Sequence, residues 1–303
     1  MNKTIFRVDK ELLRGFCLAF PFLAIVPAFS SLGDKLLNNN LDLQAFHDMH
    51  PWVLSLVLQM LLLALSTGIY FAYKAAGIFD IEVKPKKYTT KADRMFVIKA
   101  VCALETISYL VVALFSQAVK PFTASVSTGG SLSGLSPLDC GFYLLEISFI
   151  TAIYEELIMR KYLYEIFRKF GAPVAILCTS IAFSVTHESF AQIFSTFLAG
   201  VSLGLIREKL GLGWSIFWHG FSNFTLALTL FSVEVGGFAV IGLAFICLIG
   251  AIAFLVSYSR YSDRIKQAFS SLKWSISYIA NPVTLGIIPL SCLFGVMSVY
   301  FGG

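Results

Sequence analysis

The chain has 303 residues, of which 57% are hydrophobic and only 14% are charged, and its mean hydropathy is +0.78. This composition is typical of a polytopic membrane protein and excludes a sizeable soluble domain. Most charged residues lie between apolar runs, so the formal net charge of +5 indicates an excess of Lys and Arg in the loops. It argues against a nucleic-acid-binding surface.

Residues 1–138 are predicted to form an N-terminal group of transmembrane helices with one strongly basic loop. Apolar runs predict spans at about 15–32, 52–73 and 96–118. Basic residues precede the first run, as in a signal peptide, but the later spans need this helix for a consistent topology, and we expect it to be retained. The segments 33–51 and 120–139 are polar or rich in Ser and Gly, and they are expected to be loops.

The rest of the chain is predicted to contain six further spans. They lie at about 140–167, 173–187, 190–206, 214–231, 238–258 and 282–301. Residues 139–233 would form a central core, and residues 234–303 a C-terminal group of helices with an interfacial segment near 268–278. The predicted fold class is therefore all-α, a polytopic transmembrane bundle of about eight or nine spans, since the first or last span could be peripheral.

The basic loops predict the orientation of the bundle. Loops near residues 85, 165, 208 and 266 are all rich in Lys and Arg. Placing each of them in the cytoplasm gives a regular alternation of spans. We therefore expect an integral, multi-pass protein with its N-terminus in the cytoplasm and its C-terminus outside.

The predicted fourth span carries three ionisable residues within the sequence Ile153–Arg160. A charged side chain at membrane depth costs about 3 kcal/mol or more, so it usually has a function. Glu156 and Arg160 are four residues apart and can pair along one helix face. Glu155 lies about 100° round the helix without that partner. It is either bonded to a neighbouring helix or a general base, a role that suits a partly desolvated carboxylate.

Two later spans carry pairs of aromatic or polar residues one helical turn apart. Phe183 and His187 form the first pair, and His219 and Asn223 form the second, on a shared face. An imidazole and an amide so placed can both donate to one carbonyl oxygen, and the loss of one such donor typically costs about 2.7–4 kcal/mol. The alternatives are a histidine satisfied within the helix core and a polar bond between helices.

The motifs EExxxR, FxxxH and HxxxN follow one another on successive predicted membrane helices, and in this order they resemble the CPBP family. That family contains the type II CAAX prenyl endopeptidases and the bacterial Abi or bacteriocin-processing proteins. The resemblance covers roughly residues 141–231, and every polar position of the signature is filled. It implies an endopeptidase in a bacterial cell membrane that hydrolyses a peptide bond near the cytoplasmic face, with residues 139–233 as its catalytic core.

The resemblance also implies roles for the polar residues. Glu155 and His187 would together activate the attacking water, and His219 and Asn223 would stabilise the oxyanion. In this reading no cofactor is required. The alternative is a catalytic zinc held by Glu155, His187 and His219, but the sequence lacks the paired histidines four residues apart that hold zinc firmly.

The other polar residues of these spans are expected to support the fold. Glu156 and Arg160 are interpreted as a structural pair, and Phe183 as packing for the histidine one turn on. Glu105 and Glu146 are also predicted to lie within the membrane, outside the signature. They could line a water-filled cavity or bond to neighbouring helices.

The motifs of other intramembrane proteases are missing from the sequence. Ala191 occupies the second histidine position of an HExxH motif that would begin at His187, there is no GxGD pair, and the Ser/Gly-rich stretch 125–136 has no histidine partner. Six cysteines without metal-ligand spacing indicate buried thiols rather than a disulfide framework.

The predicted function is therefore the hydrolysis of a membrane-associated peptide or protein. The substrate could be a CAAX-type peptide, a pheromone or a bacteriocin precursor, and the expected partners are this peptide and the lipid bilayer, with no nucleic acid. The sequence does not indicate an oligomeric state. The alternatives are a non-proteolytic immunity or scaffold protein that keeps the motifs for binding, and a transporter whose intramembrane carboxylates bind ions or protons.

Overall fold

The structure is a computed structural model that describes residues 2–78, 90–119, 135–187, 190–228 and 233–279. Within these ranges all the regular elements are helical, which confirms the all-α class. The helices are α1 (Asn2–Asn38), α2 (Leu41–Met49), α3 (Pro51–Ala75), α4 (Lys91–Val119), α5 (Pro137–Leu145), π1 (Glu146–Ile150), α6 (Thr151–Glu156), π2 (Leu157–Leu163), α7 (Tyr164–Arg168), α8 (Ala172–Val185), α9 (Phe190–Lys209), α10 (Leu212–Ala227), α11 (Val233–Val256) and α12 (Tyr258–Ile279).

The predicted fourth span is one long helical rod, in which α5, π1, α6, π2 and α7 follow one another directly. At its start the hydroxyl oxygen of Ser136 accepts a hydrogen bond from the backbone N–H of Asp139 at 3.1 Å, and Pro137 occupies the first turn. π-Helical turns are rare and frequently occur at functional sites. The short segment α6 between the two π-helical stretches carries both Glu155 and Glu156.

The rod is followed by α8, which turns back and is largely buried. Gly171 precedes α8 with a φ of 107°, a backbone conformation that favours glycine. On the far side of α8, the sequence Gly200-x-x-x-Gly204 of α9 faces it closely. A Cβ added at Gly200 would lie 3.0 Å from Cα of Ser180, and one at Gly204 would lie 3.0 Å from Cγ2 of Ile176. Small residues at this spacing let two membrane helices approach closely.

A cluster of aromatic side chains joins the rod to the N-terminal helices. Tyr162 of π2 stacks on Tyr70 of α3 with 4.6 Å between ring centroids, and its ring centroid lies 5.9 Å from that of Phe22 in α1. The hydroxyl groups of Tyr162 and Thr67 are hydrogen-bonded at 2.7 Å. Burial of these rings stabilises the rod on the side that faces α1 and α3. The rod also contacts α8 and α10.

One described helix, Pro51–Ala75, is long and apolar enough to cross a membrane by length and composition. Two shorter apolar helices, Ala172–Val185 and Ile241–Val256, lie in or coincide with predicted spans. The predicted count of eight or nine spans thus stays a prediction, and the predicted ninth span at 282–301 lies outside the described residues.

The prediction of a loop at 33–51 is wrong, because α1 continues to Asn38 and α2 follows it. The side chain of Asn40 accepts a hydrogen bond from the backbone N–H of Leu43 at 3.0 Å and so caps α2. The interfacial segment predicted near 268–278 lies within a longer helix, α12, and its place at the membrane interface stays a prediction.

Candidate active site

The three ionisable residues of the rod differ in their exposure. Glu156 and Arg160 have fully buried side chains, and the carboxylate of Glu156 lies 3.4 Å from a guanidinium nitrogen of Arg160, as the spacing of four residues predicts. The side chain of Glu155 is 17% exposed. Of the two adjacent carboxylates, Glu155 is thus the one accessible from outside the helix bundle.

The imidazole of His219 lies between these two carboxylates. Its Nδ1 is 3.1 Å from Oε1 of Glu156, and its Nε2 is 3.4 Å from Oε2 of Glu155. His219 itself is 6% exposed. Because ionised carboxylates only accept hydrogen bonds, the carboxylate of Glu156 requires a proton on Nδ1 of His219. The contact leaves Nε2 as the ring nitrogen available to Glu155 and to a substrate.

Glu156 is surrounded by protein groups. Besides His219 and Arg160, the hydroxyl of Ser215 donates a short hydrogen bond to it from one turn earlier in α10. Arg160 donates from Nη2 to the carbonyl of Gly200 at 3.2 Å, which links the rod to α9. The structural role of Glu156 and Arg160 stays a prediction, and the contacts add one to His219 that the sequence did not indicate.

Phe183 of α8 is the meeting point of the three motifs. Its ring centroid lies 4.6 Å from that of His187, 5.5 Å from that of His219 and 4.6 Å from the guanidinium carbon of Arg160. The sequence predicts packing against His187 alone. The ring also makes a cation–π contact with Arg160 and an edge contact with His219.

His187 lies two residues beyond the C-terminal end of α8, and a hydrogen bond to the backbone holds its ring. Its Nδ1 is 2.8 Å from the carbonyl oxygen of Phe183, an interaction in which Nδ1 donates. Nε2 then carries the lone pair of the neutral ring. No hydrogen bond or ion pair among the described residues joins His187 to Glu155, so the structure pairs Glu155 with His219 instead.

Asn223 follows His219 by one turn in α10 and is partly buried. The spacing of four residues places it on the same face of the helix. Gly220 lets this part of α10 lie against the rod, because a Cβ there would come within 2.6 Å of the ring of Phe149 in π1. No sequence pattern indicates this close approach beyond the small residue beside His219.

The two carboxylates outside the signature are both buried. Glu146 accepts hydrogen bonds from Ser55 at 2.7 Å and from Gln59 in α3, so it bonds to a neighbouring helix, one of the two predicted alternatives. Glu105 in α4 faces Ser202 of α9 and Trp218 of α10. Trp218 adjoins His219 in the sequence, so Glu105 packs beside the site.

Ser215 is the site-supporting residue that sequence reasoning missed. The only signal for it is a small polar residue four positions before His219 in an apolar helix. For metal ions, the described residues contain no group of three or more His, Cys, Asp or Glu side chains that could hold one. The zinc site of Glu155, His187 and His219 therefore stays a prediction from the sequence.

Comparison with known proteins finds a match to a protein family. Residues 138–225 match the family model described as type II CAAX prenyl endopeptidase Rce1-like. The match covers less than a third of the chain, includes all three motifs and confirms the resemblance to the CPBP family of membrane proteases. The matched family is one of membrane-embedded CAAX-type endopeptidases, which are hydrolases. The chain matches no curated protein and no solved structure.

Proposed function

We propose that the protein is an intramembrane endopeptidase that cleaves a peptide bond of a membrane-associated peptide by means of a water molecule activated at Glu155. The observation that carries this proposal is the imidazole of His219 held between the partly exposed carboxylate of Glu155 and the buried carboxylate of Glu156. The family match over residues 138–225 supports the same reaction class.

The charges of the cluster balance when His219 is protonated. The two carboxylates carry two negative charges, and Arg160 and an imidazolium at His219 carry two positive ones, so the set is neutral in a medium that penalises net charge. In this state Nδ1 of His219 donates to Glu156. Nε2 carries a proton that can be offered to Glu155 or to a carbonyl oxygen.

From this arrangement we derive the roles of the residues. Glu155 accepts a proton from the attacking water, and the N–H at Nε2 of His219, with the side-chain amide of Asn223, donates to the carbonyl oxygen as negative charge develops there. Glu155 then returns the proton to the leaving amine. His187, with its Nε2 free to accept, positions the water.

The roles of His219 also bear on the choice between a metal-free site and a zinc site. In the described arrangement Nδ1 of His219 is taken by Glu156 and Nε2 faces Glu155. We favour the reading without a required cofactor, because a zinc ion on Nε2 of His219 would take that nitrogen away from the oxyanion. Metal analysis of active, purified protein should give well under one equivalent of zinc, whereas activity lost on chelation and restored by zinc would establish Glu155, His187 and His219 as ligands.

The proposal is tested by Glu155→Gln in purified protein reconstituted into liposomes. The substrates are peptides with a C-terminal prenylated cysteine motif and the same peptides without the lipid, and mass spectrometry identifies the products. General acid–base catalysis contributes about 10²–10⁴-fold, so cleavage should fall by at least about 10²-fold. The amide is similar in shape, so we expect the thermal stability to stay close to that of the native protein.

Glu165→Gln is the matched control. Glu165 lies on the same rod, ten residues further on, and pairs with Lys161 and Tyr70 rather than with His219. It should retain cleavage. If the native protein binds these peptides and cleaves none of them, the non-proteolytic scaffold or immunity function is favoured. Substrate flux across proteoliposomes without cleavage would identify a transporter.

A further inference from the structure

Helix α12 combines basic and apolar residues in a way that the proposed hydrolysis does not use. It contains Arg260, Arg264, Lys266 and Lys273 against one acidic residue, Asp263. The side chains of Arg260, Lys266 and Lys273 are exposed. The helix therefore presents an excess of positive charge on its surface, which attracts negatively charged groups.

The helix also has an apolar line that extends beyond its contact with the protein. Ile265 is 8% exposed, whereas Ile276 is 51% exposed. These residues are eleven positions apart, which is about 20° more than three full turns, so they lie on nearly the same line. The first part of this line is covered by the protein, and the described residues leave the later part at Ile276 uncovered.

The exposed lysines form a second line beside the first. Lys266 and Lys273 are seven residues apart, or about 20° less than two turns, so they too share a line along the helix. That line lies roughly 60–100° round from the isoleucine line. An apolar line flanked by lysines is the arrangement of helices that lie in a membrane interface, where long basic side chains reach the headgroups.

The neighbours of α12 in the fold are those expected of a helix at a membrane surface. It directly follows α11, whose last two residues, Leu255 and Val256, are 68% and 80% exposed. It also packs against α8, the helix that carries Phe183. Such exposed apolar residues are expected against lipid, and the positive-inside rule puts this end of α11 on the cytoplasmic side.

We propose that α12 is an interfacial helix that binds anionic lipid headgroups of the cytoplasmic leaflet, with Lys266 and Lys273 on the phosphates and Ile276 among the acyl chains. The charge of the helix is complementary to that leaflet, whose surface potential is negative. Each basic residue at such a surface should enrich anionic lipid by about fivefold. The proposal is independent of whether the protein cleaves peptides.

The test places a fluorescent probe on the apolar line. Full-length protein carrying Ile276→Trp is reconstituted, one chain per nanodisc, in phosphatidylcholine with brominated lipid at a fixed mole fraction. The quenching of the added indole is obtained by subtracting the signal of the parent protein. Brominated phosphatidylglycerol should quench it more strongly than brominated phosphatidylcholine, and high salt should reduce this excess, because salt screens exposed charges.

Two double variants in the Ile276→Trp background decide the role of the lysines. Lys266→Gln with Lys273→Gln should remove most of the excess quenching. Lys74→Gln with Lys91→Gln, which removes two exposed lysines from other helix ends, should leave it unchanged. Equal quenching by the two lipids, or an excess that survives the first double variant, would overturn the proposal. An absence of quenching by either lipid would also overturn it, because it would mean that a protein covers this face. Dimers in larger nanodiscs would then identify that protein as a second copy of the chain.

Discussion

At the scale of single residues, two adjacent glutamates have different environments. Glu156 is enclosed by Arg160, His219 and Ser215. Glu155 is partly exposed, and of these three residues it contacts His219. Helical geometry explains the division, because neighbouring residues point about 100° apart. One carboxylate can therefore hold the imidazole in place while the other faces the substrate.

Arg160→Ala is predicted to reduce stability more than it reduces the rate of the folded enzyme. The change leaves the carboxylate of Glu156 buried without its cation, which costs roughly 3–5 kcal/mol when burial is complete. Thermal unfolding in detergent and the protein level in membranes measure this effect. Lys161→Ala, which removes a partly exposed cation from the same turn, should have a small effect. Normal abundance with abolished cleavage would instead make Arg160 part of the reaction.

At the scale of elements, the position of His219 depends on how closely α10 approaches the rod. The side chain of Phe149 occupies the space beside Gly220, and the next residue back is His219. Any side chain at this position must displace the ring or separate the two helices. The contacts of His219 with Glu155 and Glu156 would lengthen as a result.

Gly220→Ala is therefore predicted to reduce cleavage strongly although it adds one methyl group. The rate of peptide cleavage should fall, whereas thermal unfolding should show that the protein still folds. Gly213→Ala is the matched control on α10, because a Cβ there meets no atom within 4 Å. In a helix interior Ala is favoured over Gly by about 1 kcal/mol, so the control should be neutral or slightly stabilising. Equal cleavage rates in the two variants would contradict this account.

The start of the rod offers a second prediction at this scale. Ser136, His50 and Trp52 donate hydrogen bonds to Asp139, and they lower its pKa to about 2. A carboxylate with a depressed pKa stabilises the folded state above its unfolded value of about 3.9, and this contribution is lost as the pH falls through the folded value.

Asp139→Asn should therefore lower the unfolding temperature at neutral pH, and its difference from the native protein should shrink between about pH 4 and pH 2. Unfolding followed by circular dichroism across this range measures the effect. Asp42→Asn, which changes an exposed aspartate of α2, should show no comparable pH dependence. A constant difference at every pH would mean that Asp139 acts through shape rather than charge.

At the scale of the whole molecule, sequence patterns and tertiary contacts contributed different parts of the picture. Long apolar runs and helix spacing predicted the all-α class and the pairing of Glu156 with Arg160, since both depend on local geometry. The bridging of Glu155 and Glu156 by His219 could not be predicted, because it depends on how α10 docks on the rod. The cap at Asn40 was likewise too short a signal to reveal α2 within a polar segment.

The orientation of the molecule in the membrane leads to the last prediction. Helix α4, Lys91–Val119, has 29 residues and is therefore about 44 Å long, which exceeds the hydrocarbon thickness of about 30 Å. Its two ends should lie on opposite sides, with the basic loop before it in the cytoplasm. A reporter fused after Lys86 should accordingly read cytoplasmic, and one fused after Ser131 extracytoplasmic. A third fusion after Gly211, in the basic turn before α10, should read cytoplasmic and serves as the internal control. Identical readings at the first two positions would mean that α4 does not cross the bilayer, and the alternation of spans on which the cytoplasmic placement of α12 depends would have to be abandoned.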